Sequence, residues 1–297
     1  MVVGVTSAVQ TGVEVVVRGW LHGNCVLLPG GEAPGVIDTG YHTGAEALVA
    51  RWQGAGRALS ELSVVLLTHI HSDHAGGVAA LVAGSGAAVV AHGEADRLTR
   101  AWSPRALWLE EPIGQEMPRF GVDRVVVAGD EVAVGGMVWR VVETPGHAMG
   151  GVSYYCAARR LLVSGDALWQ KGFGLLNPWI DGPGVYDRAA VALDNLAGLD
   201  VETVIPGHGP PFEGFAAAVS EAQSRLEYAR RSPHRLRHQV VRNTAHFTML
   251  LHPERSVASH RQRVLDLAGA LPPLPGDAVG QDDAVLAAAV CRELGLG

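Results

Sequence analysis

The stretch Thr68-His69-Ile70-His71-Ser72-Asp73-His74 puts three imidazoles and one carboxylate on a single loop. A loop reading His-x-His-x-Asp-His cannot bring all four groups to one point. Its alternation lets His69 and His71 lean to one side while Asp73 and His74 lean to the other. That arrangement suits two adjacent cations better than one, and a mixed nitrogen and carboxylate donor set suits zinc, as well as iron or manganese. Three later residues have the types to join it: His147 in Thr144-Pro145-Gly146-His147, Asp166 in Ser164-Gly165-Asp166, and His208 in Pro206-Gly207-His208-Gly209-Pro210. Glycine beside each lets the backbone turn sharply and deliver a side chain into a crowded centre. Each alone would usually be a turn residue. Together, behind the histidine loop, they form a candidate ligand set.

Such donors need rigid elements behind them, and the pattern supplies these. Residues 64–67, Val-Val-Leu-Leu, read as a buried strand running into the histidine loop. Upstream, residues 13–38 read as successive antiparallel strands with Gly-rich turns, the last closing on Asp38-Thr39-Gly40. Asp38, at a strand end, either hydrogen-bonds a neighbouring loop or caps its own. A helix is expected over 43–52, another from 78, a strand over 87–91 and a helix over 94–101. Residues 102–120, with Pro104, Pro112 and Pro118 beside Trp102 and Trp108, read as an irregular surface loop in preference to a pocket wall. A second strand-rich region spans 124–164, with His147 and Asp166 just beyond strand ends. A helix over 186–196 and a strand over 201–205 then lead to His208. Two halves of similar order favour two sheets packed face to face with helices outside.

Composition narrows the class. The 297 residues are 48% hydrophobic and 18% charged, so a sizeable core forms and disorder is excluded. The net charge of −7 argues against a nucleic-acid surface. Cys25, Cys156 and Cys291 are far apart and outside any CxxC pattern, which predicts buried free thiols rather than a disulfide framework or a thiolate zinc site. The first twelve residues do not read as a signal peptide, and no run approaches the ~18 apolar residues of a membrane span. A cytoplasmic protein with a small-molecule substrate and no membrane or nucleic-acid partner is expected; oligomeric state leaves no readable mark.

These residues resemble the five motifs of the metallo-β-lactamase fold superfamily: Asp38, then His69/His71/Asp73/His74, then His147, Asp166 and His208. The resemblance runs over residues 13–212. It implies an α+β fold, a four-layer αββα sandwich, over residues 1–214, with a C-terminal helical extension over 215–297. It further implies that His69, His71 and His147 hold one metal, that Asp73, His74 and His208 hold a second, and that Asp166 bridges them. Asp38 would orient the histidine loop from behind. One departure is visible: many members read Gly-His-Thr-Pro-Gly where this chain has Gly146-His147-Ala148-Met149-Gly150.

Two divalent cations about 3.5 Å apart, zinc foremost, would lower the pKa of a shared water enough to give a hydroxide near neutral pH. Asp73 would orient that hydroxide and carry its proton to the leaving group. The reaction implied is hydrolysis of an activated acyl bond in a lactone, ester or thioester. True β-lactamases of this fold lack the aspartate at the Asp166 position, flavodiiron members carry glutamate in place of His71, and nucleic-acid members carry a recognition domain. The glyoxalase II-like metallohydrolase branch fits best. The alternative is a mononuclear iron persulfide dioxygenase of the same fold.

Beyond 212 the pattern is helical. Ser232-Pro233 reads as an N-cap with proline at the first helical position, and residues 272–276, Pro-Pro-Leu-Pro-Gly, as a stiff connector before a last helix with Val285, Leu286, Ala289 and Val290 inward. From Arg225 to Arg242 six arginines face one acid, Glu227. Arg235, His238 and Arg242 share a face, as a solvated basic stripe or as a clamp for an anionic substrate tail. Residues 167–184 carry large apolar groups among glycines. They form either ordinary core or, through Trp169, Phe173 and Trp179, a wall of the site.

Overall fold

The computed structural model describes residues 5–111, 113–272 and 282–296. Seven strands form the first sheet in chain order: β1 (Val5–Gln10), β2 (Val13–Val17), β3 (Cys25–Leu28), β4 (Gly35–Ile37), β5 (Val64–Leu66), β6 (Ala88–His92) and β7 (Arg124–Val126). β1 to β4 pair antiparallel, since short turns join them; β4 to β7 pair parallel, since each link crosses the sheet through a longer connection. Those connections carry α1 (Ala45–Gly54), α2 (Ser72–Ala75), α3 (Val78–Ser85) and α4 (Gly93–Ala101).

The second sheet runs β12-β11-β10-β9-β8, from β8 (Glu131–Val134), β9 (Met137–Glu143), β10 (Val152–Cys156), β11 (Leu161–Gly165) and β12 (Thr203–Pro206). β11 and β12 are parallel, with α5 (Pro178–Asp181) and α6 (Val185–Ala197) between them; the other pairs are antiparallel. Four further helices follow: α7 (Phe215–Arg230), α8 (Pro233–Leu251), α9 (Val257–Ala270) and α10 (Asp283–Glu293).

Strand alternation sorts side chains into layers. On β3, Val26 and Leu28 face the second sheet, while Cys25 and Leu27 face α1, α3 and α4. On β11, Leu161 and Val163 face the first sheet, and Leu162 faces α6 and the C-terminal helices. Trp139 and Tyr154 fill the space between sheets with no exposure. Burying each such large apolar side chain contributes roughly 1.5–3 kcal/mol. The result is the four-layer αββα sandwich with a helical extension. α7 to α10 draw on the same core as α6, so the extension thickens that outer layer. Gly214, at φ 84°, turns the chain into α7 and is the proposed limit of the sandwich.

Several local expectations change. β1 adds an edge strand that the polar sequence Val-Thr-Ser-Ala-Val-Gln did not announce. Pro233 opens α8 as expected, but the Ser232 hydroxyl makes no cap hydrogen bond. On α10, Leu286 and Val290 are buried whereas Val285 is 59% exposed. The connector at 272–276 lies outside the described residues apart from Pro272. Cys25 and Cys156 are buried free thiols, and Cys291 is half-buried.

Candidate metal centre and the cleft beside it

All the candidate donors leave the C-terminal ends of strands. β5 runs into the histidine loop, β9 into His147, β11 into Asp166 and β12 into His208. Because β9 and β11 both pair antiparallel with β10, and β12 runs parallel to β11, these ends meet at one edge of the sandwich. The structure brings three groups of donor atoms within 4.8 Å: His69/His71/His147, His69/His74/Asp166, and Asp73/His74/His208. The Asp166 carboxylate stands between them, 3.4 Å from His74 Nε2, 3.4 Å from His147 Nε2 and 3.9 Å from His208 Nε2.

Hydrogen bonds behind the imidazoles set which nitrogen faces inward. Asp38, itself at φ 57°, accepts the backbone N–H of Thr68 at 2.8 Å, the Thr68 hydroxyl at 2.6 Å and His74 Nδ1–H at 2.8 Å. Having donated to Asp38, the Thr68 hydroxyl accepts from His69 Nδ1–H at 3.0 Å. His147 Nδ1–H donates to the Leu175 carbonyl at 2.7 Å. The Nε2 atoms of His69 and His74 are consequently buried without hydrogen-bond partners, as atoms awaiting a cation are.

Charge is distributed to match. Burial, reinforced by His74 and His71, pushes the pKa of His69 well below its usual value; burial and His147 do the same to His71. Burial also opposes a charge on His74, but Asp166, Asp73 and Asp38 outweigh it and hold its pKa well above normal. Burial would raise the Asp73 carboxyl, yet His74 and His208 bring it down to about 2.

Two glycines clear the space. A Cβ on Gly207 would collide with Asp166 Oδ1, and one on Gly174 would sit 2.7 Å from His147 Nδ1.

A narrow pocket of about 70 Å³ opens onto the donors, and the residues around it correct the expectation for 102–120. That segment is a wall of the site. Trp108 is 6% exposed, adopts φ 60°, and lays its indole 4.2 Å from the His71 ring. Gln115 accepts the Ser72 hydroxyl at 2.6 Å, which ties the segment to α2. Proline content suggested a surface loop; the tertiary packing against α9, through Arg263 and Glu111 at 2.6 Å, is not visible in local sequence.

Of the three aromatic residues expected beyond Asp166, one reaches the donors. Trp169 donates its indole N–H to Asp166 Oδ1 at 3.1 Å and, with Trp20, packs against the His208 ring. Phe173 lines a second, larger cavity. Trp179 does not join them: α5 turns it toward the C-terminal helices, where its indole N–H donates to the Pro272 carbonyl at 2.9 Å. Trp20, Asn243, Thr244 and Phe247 line the pocket without having been singled out in the sequence.

The larger cavity, about 580 Å³, adjoins the pocket and shares Trp20, Trp169, Leu175 and Asn243 with it. Arg235 and Arg242 of the basic stripe lie on its wall; His238 pairs instead with Glu293 at 3.2 Å. Arg237 is no part of a solvated stripe. It is 2% exposed and donates to the carbonyls of Leu271 and Ala268 at the end of α9.

An αββα sandwich with a histidine and aspartate cluster at the strand ends defines a metal-binding class of protein. The chain belongs to the metallo-β-lactamase superfamily, whose family model matches residues 18–208. Among curated relatives, the hydroxyacylglutathione hydrolase of Rhodospirillum rubrum is 34% identical over 133 residues, which is 44% of this chain and 43% of that one. The hydroxyacylglutathione hydrolase of a Polaromonas species is 34% identical over 167 residues, 55% of this chain and 52% of that one. The chain thus spans about half the length of the curated relatives it matches. Among solved structures, a HARLDQ-motif mutant metallo-β-lactamase from Cronobacter sakazakii has a TM-score of 0.65 at 21% identity, covering 77% of this chain and 98% of that one. Native FEZ-1 metallo-β-lactamase from Legionella gormanii also has a TM-score of 0.65, at 16% identity, covering 78% and 98%. At such identities the structural likeness speaks to fold alone. No described helix is long and apolar enough to cross a membrane.

Proposed function

We propose that this chain is a metal-dependent hydrolase of an activated acyl bond, with a thioester as the favoured substrate. The observation that carries the reading is the convergence of seven donors, Asp166 among them, in overlapping groups, with the Nε2 atom of His69 buried without a hydrogen-bond partner. His69, His71 and His147 would hold one divalent ion, Asp73, His74 and His208 a second, and Asp166 would touch both. Zinc, iron and manganese all suit these donors. When bound, such a pair supplies Lewis acidity for the substrate carbonyl and acidifies water near neutral pH.

The chain's own groups do the rest. Asp38 and the Leu175 carbonyl hold His74 and His147 by Nδ1, so that each presents its Nε2 inward. Asp73 stays ionised across the physiological range and would take the proton of the attacking water and pass it to the departing thiolate. Trp20, Trp108 and Trp169 wall the pocket, limiting solvent around the reacting carbonyl. The names of the relatives favour a thioester over a lactone or ester.

Elemental analysis should return close to two divalent ions per chain, alongside hydrolysis in a screen of thioester, ester, lactone and persulfide substrates. Asp166→Ala should lower the metal content and slow turnover by orders of magnitude while the protein still melts cooperatively. A variant that kept both ions and its rate would overturn the reading. One iron per chain with oxygen consumed on a persulfide would replace it with the dioxygenase.

A further inference from the structure

The cavity of about 580 Å³ beside the metal pocket is walled by Trp20 and by three longer segments: residues 169–176, residues 221–229 of α7, and residues 235–243 of α8. Each segment contributes cations, Lys171 from the first, Arg225 from the second, and Arg235 and Arg242 from the third. In a chain of net charge −7 this is a local inversion of sign. It is not the solvated face of one helix, because the four groups converge on one concave surface from three directions. Among the described residues Glu221 is the one acid on the wall, and it already accepts from Arg225 at 2.7 Å. Arg242 is partly engaged by Glu293 at 3.2 Å, from outside the cavity wall. Arg235 lies 5.1 Å from the Tyr228 ring centre and has no carboxylate partner among the described residues. The same wall also carries the apolar Phe173, Leu175, Leu176 and Leu236, and Leu175 lines the metal pocket as well.

We propose that this cavity receives the leaving group of the substrate, and that this leaving group is a thiol whose far end carries phosphate. The inference rests on the hydrolase reading for the reaction, and on the cavity's shape and charge for the ligand. Hydrolysis would join the water oxygen to the acyl carbon at the donors and break the carbon–sulfur bond. The thiol departs with a proton, and its tail lies along the shared wall of Trp20, Trp169, Leu175 and Asn243. An uncharged arm suits the apolar groups of the wall, and a terminal phosphate suits its four cations, since guanidinium groups bind phosphate oxygens in pairs. Glutathione suits it less well. Its α-ammonium would enter a cavity lined by four cations and a single carboxylate that is already taken. The matched family region ends at residue 208, before the helices that build this cavity, so shared chemistry at the donors does not dictate the tail.

Direct binding tests the proposal without turnover. Titration calorimetry on the metal-loaded protein would compare coenzyme A, 4′-phosphopantetheine, pantetheine and glutathione. Coenzyme A and 4′-phosphopantetheine should each bind at least tenfold more tightly than pantetheine or glutathione, with affinity falling as salt rises. Lys171→Ala combined with Arg235→Ala should weaken coenzyme A at least tenfold, whereas Arg97→Ala, an exposed arginine elsewhere, should leave it unchanged. Asp73→Asn should bind coenzyme A like the parent while failing to hydrolyse thioesters, which separates the two readings. Glutathione binding as tightly as coenzyme A, equal binding of pantetheine and its phosphate, or undiminished binding by the double variant would each overturn the phosphate assignment and leave the hydrolase reading standing.

Discussion

Asp181, at the end of α5, has a carboxyl atom buried without a hydrogen-bond partner, and it lines a cavity behind the histidine loop with His71 and Arg97. Burial pushes its pKa up to about 7, against the downward pull of Arg188 and of the Trp108 indole. The folded protein therefore keeps this proton to near pH 7, while the unfolded chain releases it near 3.8. Between those limits the folded state binds more protons, so the contribution of Asp181 to stability is greatest near pH 4 and declines as pH rises to 7. Asp181→Asn removes the decline. Urea melts should find the variant close to the parent at pH 4 and more stable by about 4 kcal/mol at pH 8. The same difference at both pH values would mean the carboxyl is ionised throughout. Residues of this kind are the least legible in sequence. His69, His71, Asp73, His74, His147, Asp166 and His208 announce themselves because metal coordination demands their side-chain types. The position of Asp181 and the stacking of Trp108 on His71 depend on which distant segments fold over them.

Each turn that follows a donor-bearing strand is as constrained as the donor. After β12 the chain enters Gly207, where any Cβ would strike Asp166 Oδ1, Gly165 and the His74 ring. Gly207→Ala should therefore displace Asp166 while the hydrophobic layers stay intact. The expected result is a cooperative melt with metal content well below that of the parent, read by elemental analysis; unchanged content would show that the turn can yield. Most of these elements could be anticipated, and for a reason. β3, β5, β10 and β11 are buried on both faces and read as short, continuous apolar runs, while α6 and α8 show helical spacing. β1 escaped because an edge strand carries little apolar pattern, and the wall at 102–120 because proline and irregular spacing look alike on a surface and in a cleft. Trp179 was misplaced for the same reason: closeness to Asp166 in sequence gave no direction to the chain once α5 had turned it.

At the scale of the molecule, the donors join the two sheets. His69, His71, Asp73 and His74 follow a strand of the first sheet, and His147, Asp166 and His208 follow strands of the second. Cations bound there stabilise the native chain and not the unfolded one. At a free metal concentration about a thousandfold above Kd the gain is about 4 kcal/mol per site. Removing metal with a chelator should then lower the melting temperature by about 8 °C or more; an unchanged melt would mean that the donors hold no ion in the native protein. Each of the three donor groups also draws on both sheet-bearing halves of the sandwich, the earliest to be completed needing His147 and the last His208. A ribosome delivers those halves in succession. While the first sheet alone has emerged, its loop offers no complete three-donor set, and a cation meeting it finds an open, weakly held perch. A complete metal site would thereby wait until the second sheet has been made and docked, and the choice of ion would fall to the finished protein rather than to whichever ion first meets the nascent chain.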